Sequence, residues 1–121
     1  MTQIDRVCTL VPYFDVPADK IEAFKALGLK FVERTRTEAG CVHYAFTFSG
    51  NSAHCREGYD SAEAVLAHLE NVGDLLKELL GFAYISRLEV HAPASEIAKL
   101  RDPLAAMKPM YFVVEETGFR R

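Results

Sequence analysis

Apolar and polar positions change period several times along this chain, and each change marks an element. Val7 to Phe14 is dense in β-branched and aromatic residues and reads as a first strand. Pro12 lies inside it, which argues for an edge position or a strand end, because proline offers no N–H to a ladder. After Pro17, a residue suited to a first helical turn, the period becomes 3.6. Ile21, Phe24, Gly28, Phe31 and Thr35 form one stripe, widened by Leu27 and Val32. This predicts an amphipathic helix of about five turns, with Glu22–Lys25 and Arg34–Glu38 as ion pairs on its solvated side. Gly40 stands where glycine can take the left-handed conformation that closes a helix.

From Cys41 the period is two. Val42, Tyr44, Phe46 and Phe48 alternate with Cys41, His43, Ala45 and Thr47, strand periodicity with one apolar face. Ser49-Gly50-Asn51-Ser52 is a run of turn formers, and His54 to Tyr59 returns as a second strand. Pairing across that turn sets Phe48 opposite Ala53, Phe46 opposite Cys55, Tyr44 opposite Glu57 and Val42 opposite Tyr59, all on one face. The other face takes His43, Thr47, His54 and Arg56, and a slip of one residue would break the match. Asp60-Ser61-Ala62-Glu63 has the spacing of a capping box with Asp60 as cap. Val65, Leu66, Leu69, Val72, Leu76, Leu79 and Leu80 then give a helix its apolar side, with a bend or break at Gly73 and an end at Gly81. Tyr84, Leu88 and Val90 alternate with Ile85, Arg87, Glu89 and His91 in a fourth strand, closed by Pro93. Ser95 caps a short helix over Ile97 and Leu100, which Pro103 breaks, and Met110 to Glu116 is a last strand.

The order is β-α-β-β-α-β with a helix and a strand added. That predicts an α+β, ferredoxin-like split βαβ fold whose antiparallel sheet carries helices on one face. The other face has apolar residues that something must cover. With no internal repeat, low-complexity segment or linker, 1–121 reads as a single domain, with 93–121 as a C-terminal helix–strand extension. A chain of 121 residues can bury a real core. A net charge of −3 gives no electrostatic reason to bind nucleic acid or an anionic membrane. The first residues carry no basic stretch followed by a long apolar run, and no segment is long enough to cross a bilayer, so a cytoplasmic location follows by default. Cys8, Cys41 and Cys55 are odd in number and lack CxxC spacing, which predicts three reduced thiols.

Three fragments carry a resemblance: Glu38-Ala39-Gly40 followed by Cys41-Val42-x-Tyr44, then Glu57-x-Tyr59-Asp60, then Ala64-x-x-x-His68. Together they resemble the antibiotic biosynthesis monooxygenase family of dimeric α/β barrels, over about residues 5–92. Where many members have tryptophan after the strand glutamate, this chain has Tyr59, and it has no tryptophan. The resemblance implies a homodimer in which a second copy covers the open sheet face. It implies cofactor-independent monooxygenation of a small aromatic or quinol compound by dioxygen, without flavin, metal or haem. Glu57 or His68 would be the base, with Tyr44, Tyr59 and Phe46 holding the substrate.

The residues themselves leave more than one role open. Glu57, on the apolar face among Tyr44, Phe46 and Tyr59, loses hydration, so its pKa should rise, as a proton-transfer group requires. It could equally be bonded to a tyrosine, an arginine or the backbone and serve the fold alone. His68 borders the apolar stripe of its helix and could be a base, a donor to a substrate oxygen, a haem ligand, or a buried histidine satisfied by a neighbour. A zinc site at Cys41, His43, His54 and Cys55 lacks familiar spacing, and Cys41 and His43 face away from Cys55. Two other function classes stay open: a non-catalytic ligand-binding or stress-response barrel, and a haem-degrading monooxygenase.

Overall fold

The computed structural model describes residues 1–121. Its elements are β1 (Gln3–Ile4), β2 (Cys8–Asp15), α1 (Ile21–Thr35), β3 (Cys41–Ser49), β4 (Ser52–Tyr59), α2 (Ala62–Asn71), α3 (Gly73–Leu79), β5 (Tyr84–Ala92), α4 (Ala94–Leu100), β6 (Met110–Val113) and β7 (Phe119–Arg120). Five strands form one sheet in the order β3-β4-β2-β5-β6, and β1 pairs with β7 in a small second sheet. The β-α-β-β-α-β core is the expected α+β, ferredoxin-like arrangement. All neighbours in the main sheet are antiparallel except β5 and β6, which run parallel.

The helices lie on one face because the strands present alternate residues there. Cys8, Leu10 and Phe14 of β2 are buried beneath them. Thr9, Val11 and Tyr13 turn to the open face, where Tyr13 stacks on His54 and His91 on Phe112. The buried side forms two clusters. One joins Leu10, Tyr59, Val65, Val90, Ile97 and Leu100 under α2 and α4. The other joins Phe14, Phe24, Phe31, Val72, Leu75 and Leu79 under α1 and α3. Phe24 packs edge-on against Phe14, Phe46 and Phe48, and truncating it to alanine should cost about 3–5 kcal/mol.

The hairpin pairs Phe48 with Ala53, Phe46 with Cys55 and Tyr44 with Glu57, as the alternation predicts. At its far end Cys41, not Val42, pairs with Tyr59, because a bulge lies between Cys41 and His43. The extra residue throws Val42 outward and turns Cys41 toward the first cluster. A second irregularity skips Ser86, so that Ile85 rather than Tyr84 meets the core. Pro12 lies in the central strand, not at an edge. The β2–β4 ladder lacks bonded pairs between Leu10 and Tyr13, and His54 Nδ1 bonds the Pro12 carbonyl at 2.8 Å, so the proline is accommodated by an interruption.

Several helix ends also differ from expectation. Gly40 does not adopt a left-handed φ; Gly50 is the glycine that does. Ser61, one residue after Asp60, caps α2, its Oγ accepting from the Ala64 N–H. Ser95 lies inside α4, which begins after Pro93. The helix does break at Gly73, but its buried side includes Leu75 while Leu80 is exposed. Arg34 pairs with Asp74 rather than Glu38, and Glu22 and Lys25 form no salt bridge, the Lys25 ammonium lying over the Phe48 ring instead.

Candidate active site

The site is assembled from β3, β4, α2 and the turn that follows α1. Strand alternation points Cys55 and Glu57 toward the helices, and the hairpin register sets Tyr44 beside Glu57. Helix α2 then crosses close above. Gly40 permits that approach: a Cβ there would lie 2.6 Å from the Cβ of Ala64, closer than side chains come. With α2 pressed down, His68 in its second turn hangs over the hairpin. Its ring centroid is 5.2 Å from that of Tyr44 and 5.1 Å from that of Tyr59, and the residue is 2% exposed.

Two carboxylates flank the imidazole. Glu38 sits with its oxygens 3.0 and 3.1 Å from His68 Nδ1 and also accepts from Asn71 Nδ2 at 2.7 Å. The Nδ1–H therefore donates to Glu38, and Nε2 turns to Glu57, whose Oε1 is 3.5 Å away. The Tyr59 hydroxyl donates to the same oxygen at 2.6 Å. Burial pushes the Glu57 carboxyl up from 4.5 to about 7; hydrogen bonds from Tyr59 and Cys55 resist the rise and the negative charge of Glu38 adds to it. Burial also holds His68 below its ordinary value, opposed by its bond to Glu38. Burial first, then the charge of Glu57, pushes Tyr44 and Tyr59 well above the usual phenol range, so both stay protonated. Near neutral pH the mobile proton of this group belongs to Glu57, facing an imidazole with a free lone pair.

The pair opens onto a cavity of about 40 Å³ at the seam between the two core clusters. Tyr44, Glu57, His68 and Cys55 contribute polar atoms, and Phe46, Phe31, Val72 and Met107 are among its apolar walls. Of the residues singled out in the sequence, Tyr44, Phe46, Glu57 and His68 line this space. Tyr59 does not; fully buried, it stands behind Glu57 and bonds it. Glu38 and Met107 were not singled out. Glu38 had a local ion-pair reading with Arg34, and only the acid of the Glu38-Ala39-Gly40 fragment signalled it. Met107 had no signal at all.

The Cys41 to Cys55 region holds no metal-type cluster: no group of three or more His, Cys, Asp or Glu residues is placed to hold an ion. Both ring nitrogens of His68 face carboxylates across a space far smaller than a haem, so the residues do not fit the haem-ligand role. All three cysteines are free thiols. No helix is long and apolar enough to cross a membrane.

The fold and site define a ferredoxin-like α+β protein with a buried acid–base pair between sheet and helices. No family model matches the chain, and no curated protein matches it. Among solved structures, MupZ from Pseudomonas fluorescens is 46% identical over 97% of this chain and 96% of its own, with a TM-score of 0.91. Two others share the fold at lower identity. Rv0793 from Mycobacterium tuberculosis is 23% identical over 72% of this chain and 94% of its own, with a TM-score of 0.64. A proposed antibiotic biosynthesis monooxygenase from Nitrosomonas europaea is 18% identical over 74% of this chain and 91% of its own, with a TM-score of 0.65. The chain belongs to the same family as MupZ, and it shares the fold of the antibiotic biosynthesis monooxygenases.

Proposed function

We propose that the chain is an enzyme that works by general acid–base catalysis on the reactive end of a small, largely apolar molecule. The Glu57–His68 pair carries this reading. A carboxyl that titrates near neutrality and an imidazole with a free lone pair lie side by side in a cavity whose other walls are mostly apolar. Such groups contribute roughly 10²–10⁴ in rate when a substrate proton comes within reach. Glu38 and Asn71 fix the imidazole, Tyr59 restrains Glu57, and the Tyr44 hydroxyl, beside Cys55 and Thr35, faces the same space.

One reaction open to this pair, implied by the resemblance to antibiotic biosynthesis monooxygenases, is cofactor-free monooxygenation of a small phenol or quinol. His68 or Glu57 removes the phenolic proton, and the electron-rich phenolate reduces dioxygen in a site that excludes water; one oxygen atom bonds to a ring carbon, which loses its hydrogen as the ring is oxidised to the quinone, and the other oxygen leaves as water. A benzene-sized guest needs a cavity of about 150 Å³, against the 40 Å³ present. A ring therefore enters only if Tyr44 or Phe46 swings aside. That volume favours a second reading, redox-neutral proton transfer at a group of a few atoms. Glu57 gives a proton to a developing oxyanion while His68 takes one from a hydroxyl or an acidic carbon. A purely ligand-binding role predicts carboxyl and imidazole satisfied by protein groups with no cavity beside them; here the cavity adjoins both. Turnover followed by mass spectrometry with and without dioxygen, beside an oxygen electrode, decides among these. Oxygen uptake matched to product supports monooxygenation, equal anaerobic turnover supports proton transfer alone, and no turnover with either quinols or hydroxylated apolar acids would remove the enzymatic reading.

The same proposal takes the open sheet face, with Tyr13, Met110 and Phe112 exposed, as the seat of a second copy. Light scattering should give twice 13.5 kDa; a monomer at micromolar concentration would exclude the dimeric barrel.

A further inference from the structure

We propose that the substrate is elongated, with a reactive end in the cavity at Glu57 and His68 and an apolar chain that runs past Tyr44 into the groove between α1 and β3, ending in a negatively charged group near Lys25. This rests on the acid–base reading and names the substrate class of that site.

Volume is the first argument. The cavity holds about 40 Å³, enough for a few atoms, whereas the α1–β3 groove holds about 410 Å³. Tyr44 and Phe46 stand in the walls of both spaces, so two aromatic side chains form the partition. A molecule whose reactive end is recognised inside has its remaining bulk accommodated directly outside, with one pair of rings to pass.

Gly28 is the second argument. It lies in the middle of α1, where glycine costs about 1 kcal/mol relative to alanine. No left-handed φ requires it, and an added Cβ would meet only the Phe46 ring at 3.4 Å, an ordinary contact. Backbone and packing would both accept alanine. What the glycine leaves open is the floor of the groove, against the Phe46 side of the partition.

The rim is the third. Leu29 is 67% exposed and Phe48 39%, apolar walls left open to solvent over much of their surface. Lys25 is the charged residue of the groove, and its ammonium lies over the Phe48 ring, 5.1 Å from the centroid, rather than against a carboxylate. An apolar trough with one cation at its margin fits a chain that ends in an anion.

The test is calorimetric titration of the full chain with straight-chain carboxylates from hexanoate to decanoate, below micellar concentrations, with amide chemical shifts mapped in parallel. Affinity should rise roughly fourfold per added methylene, with shifts on α1 and β3. Leu29→Asp, at an exposed position that leaves the core intact, should abolish the length dependence. Gly28→Ala should raise the melting temperature while weakening decanoate more than hexanoate. Lys25→Gln should weaken carboxylates and leave the matching alcohols unchanged. Glu57→Gln should keep the full length dependence, so failure of the acid–base reading leaves this result standing. Affinity independent of chain length would overturn the proposal, as would shifts on the open face around Tyr13 and Phe112. Self-association that shields the groove before any ligand is added would overturn it too.

Discussion

Two histidine–glutamate pairs lie on opposite sides of one sheet. On the helix side, His68 Nδ1 is 3.0 Å from Glu38, and on the open side His91 Nε2 is 2.9 Å from Glu89. By distance they are alike. The His68 side chain is 3% exposed and that of His91 38%, and this difference decides their chemistry. Glu89 is held below the usual carboxylate range by His91 first and also by Arg87, so it is a settled anion between the two. Around His68 the surroundings are dry, and a second carboxyl, Glu57, is pushed up to about 7 within 3.5 Å of the free ring nitrogen. A surface pair is screened and contributes little; a buried pair with an uncommitted proton can act on a ligand. Proximity of histidine to glutamate does not mark a site. Desolvation of the pair, beside space, does.

The comparison is sharpened most by deleting each histidine. His68→Ala should lower turnover by roughly 10²–10⁴ and destabilise the fold by about 3–5 kcal/mol, because Glu38 and Glu57 lose their buried partner. His91→Ala should leave turnover within twofold, because no carboxyl with an uncommitted proton lies beside it. Equal effects from the two variants would erase the distinction between the faces.

Glu57→Gln should cost turnover roughly 10²-fold or more and change the pH dependence of stability. Because its folded pKa lies above the unfolded one, wild-type Glu57 binds more protons when folded. Stability is thus lost as pH rises from 4.5 through about 7, by about 3 kcal/mol. His68, held below 6.5, works in the opposite sense, its contribution being lost as pH falls below 6.5. The two effects overlap, so the difference in stability between wild type and Glu57→Gln, from chemical denaturation across about pH 5 to 8, isolates the Glu57 contribution and should decline as pH rises through about 7. Glu38→Gln should have a smaller effect, about tenfold in turnover, with the His68 pKa falling further by NMR because the charge that opposes desolvation is gone.

Much of this site was legible before any coordinates. The register that puts Tyr44 beside Glu57 followed from alternation on both strands and the turn between them, since a one-residue slip would bury Arg56. His68 was legible as a helical residue on the border of a stripe, though not as one fully enclosed. Glu38 was misread because its spacing from Arg34 suits a helical ion pair, whereas helix α1 ends at Thr35 and the chain turns the carboxylate toward a histidine thirty positions away. Pro12 misled for a related reason: its missing N–H disfavours a central strand, but the β2–β4 ladder opens locally to admit it. The bulges at Val42 and Ser86 and the two-residue strands β1 and β7 leave no periodic trace, since each depends on partners far along the chain. The partition at Tyr44 and Phe46 is likewise a property of three elements meeting, not of any one stretch.

The central claim is that Glu57 is a carboxyl with its proton in play near neutral pH. Infrared difference spectroscopy of the protonated carboxyl stretch, compared between wild type and Glu57→Gln across pH 4 to 9, reads this directly. The account predicts a band, lost in the variant, that disappears with a midpoint at about 7. A midpoint near the ordinary 4.5 would mean that Glu57 is a fixed anion bonded to Tyr59, and the acid–base reading would fall with it.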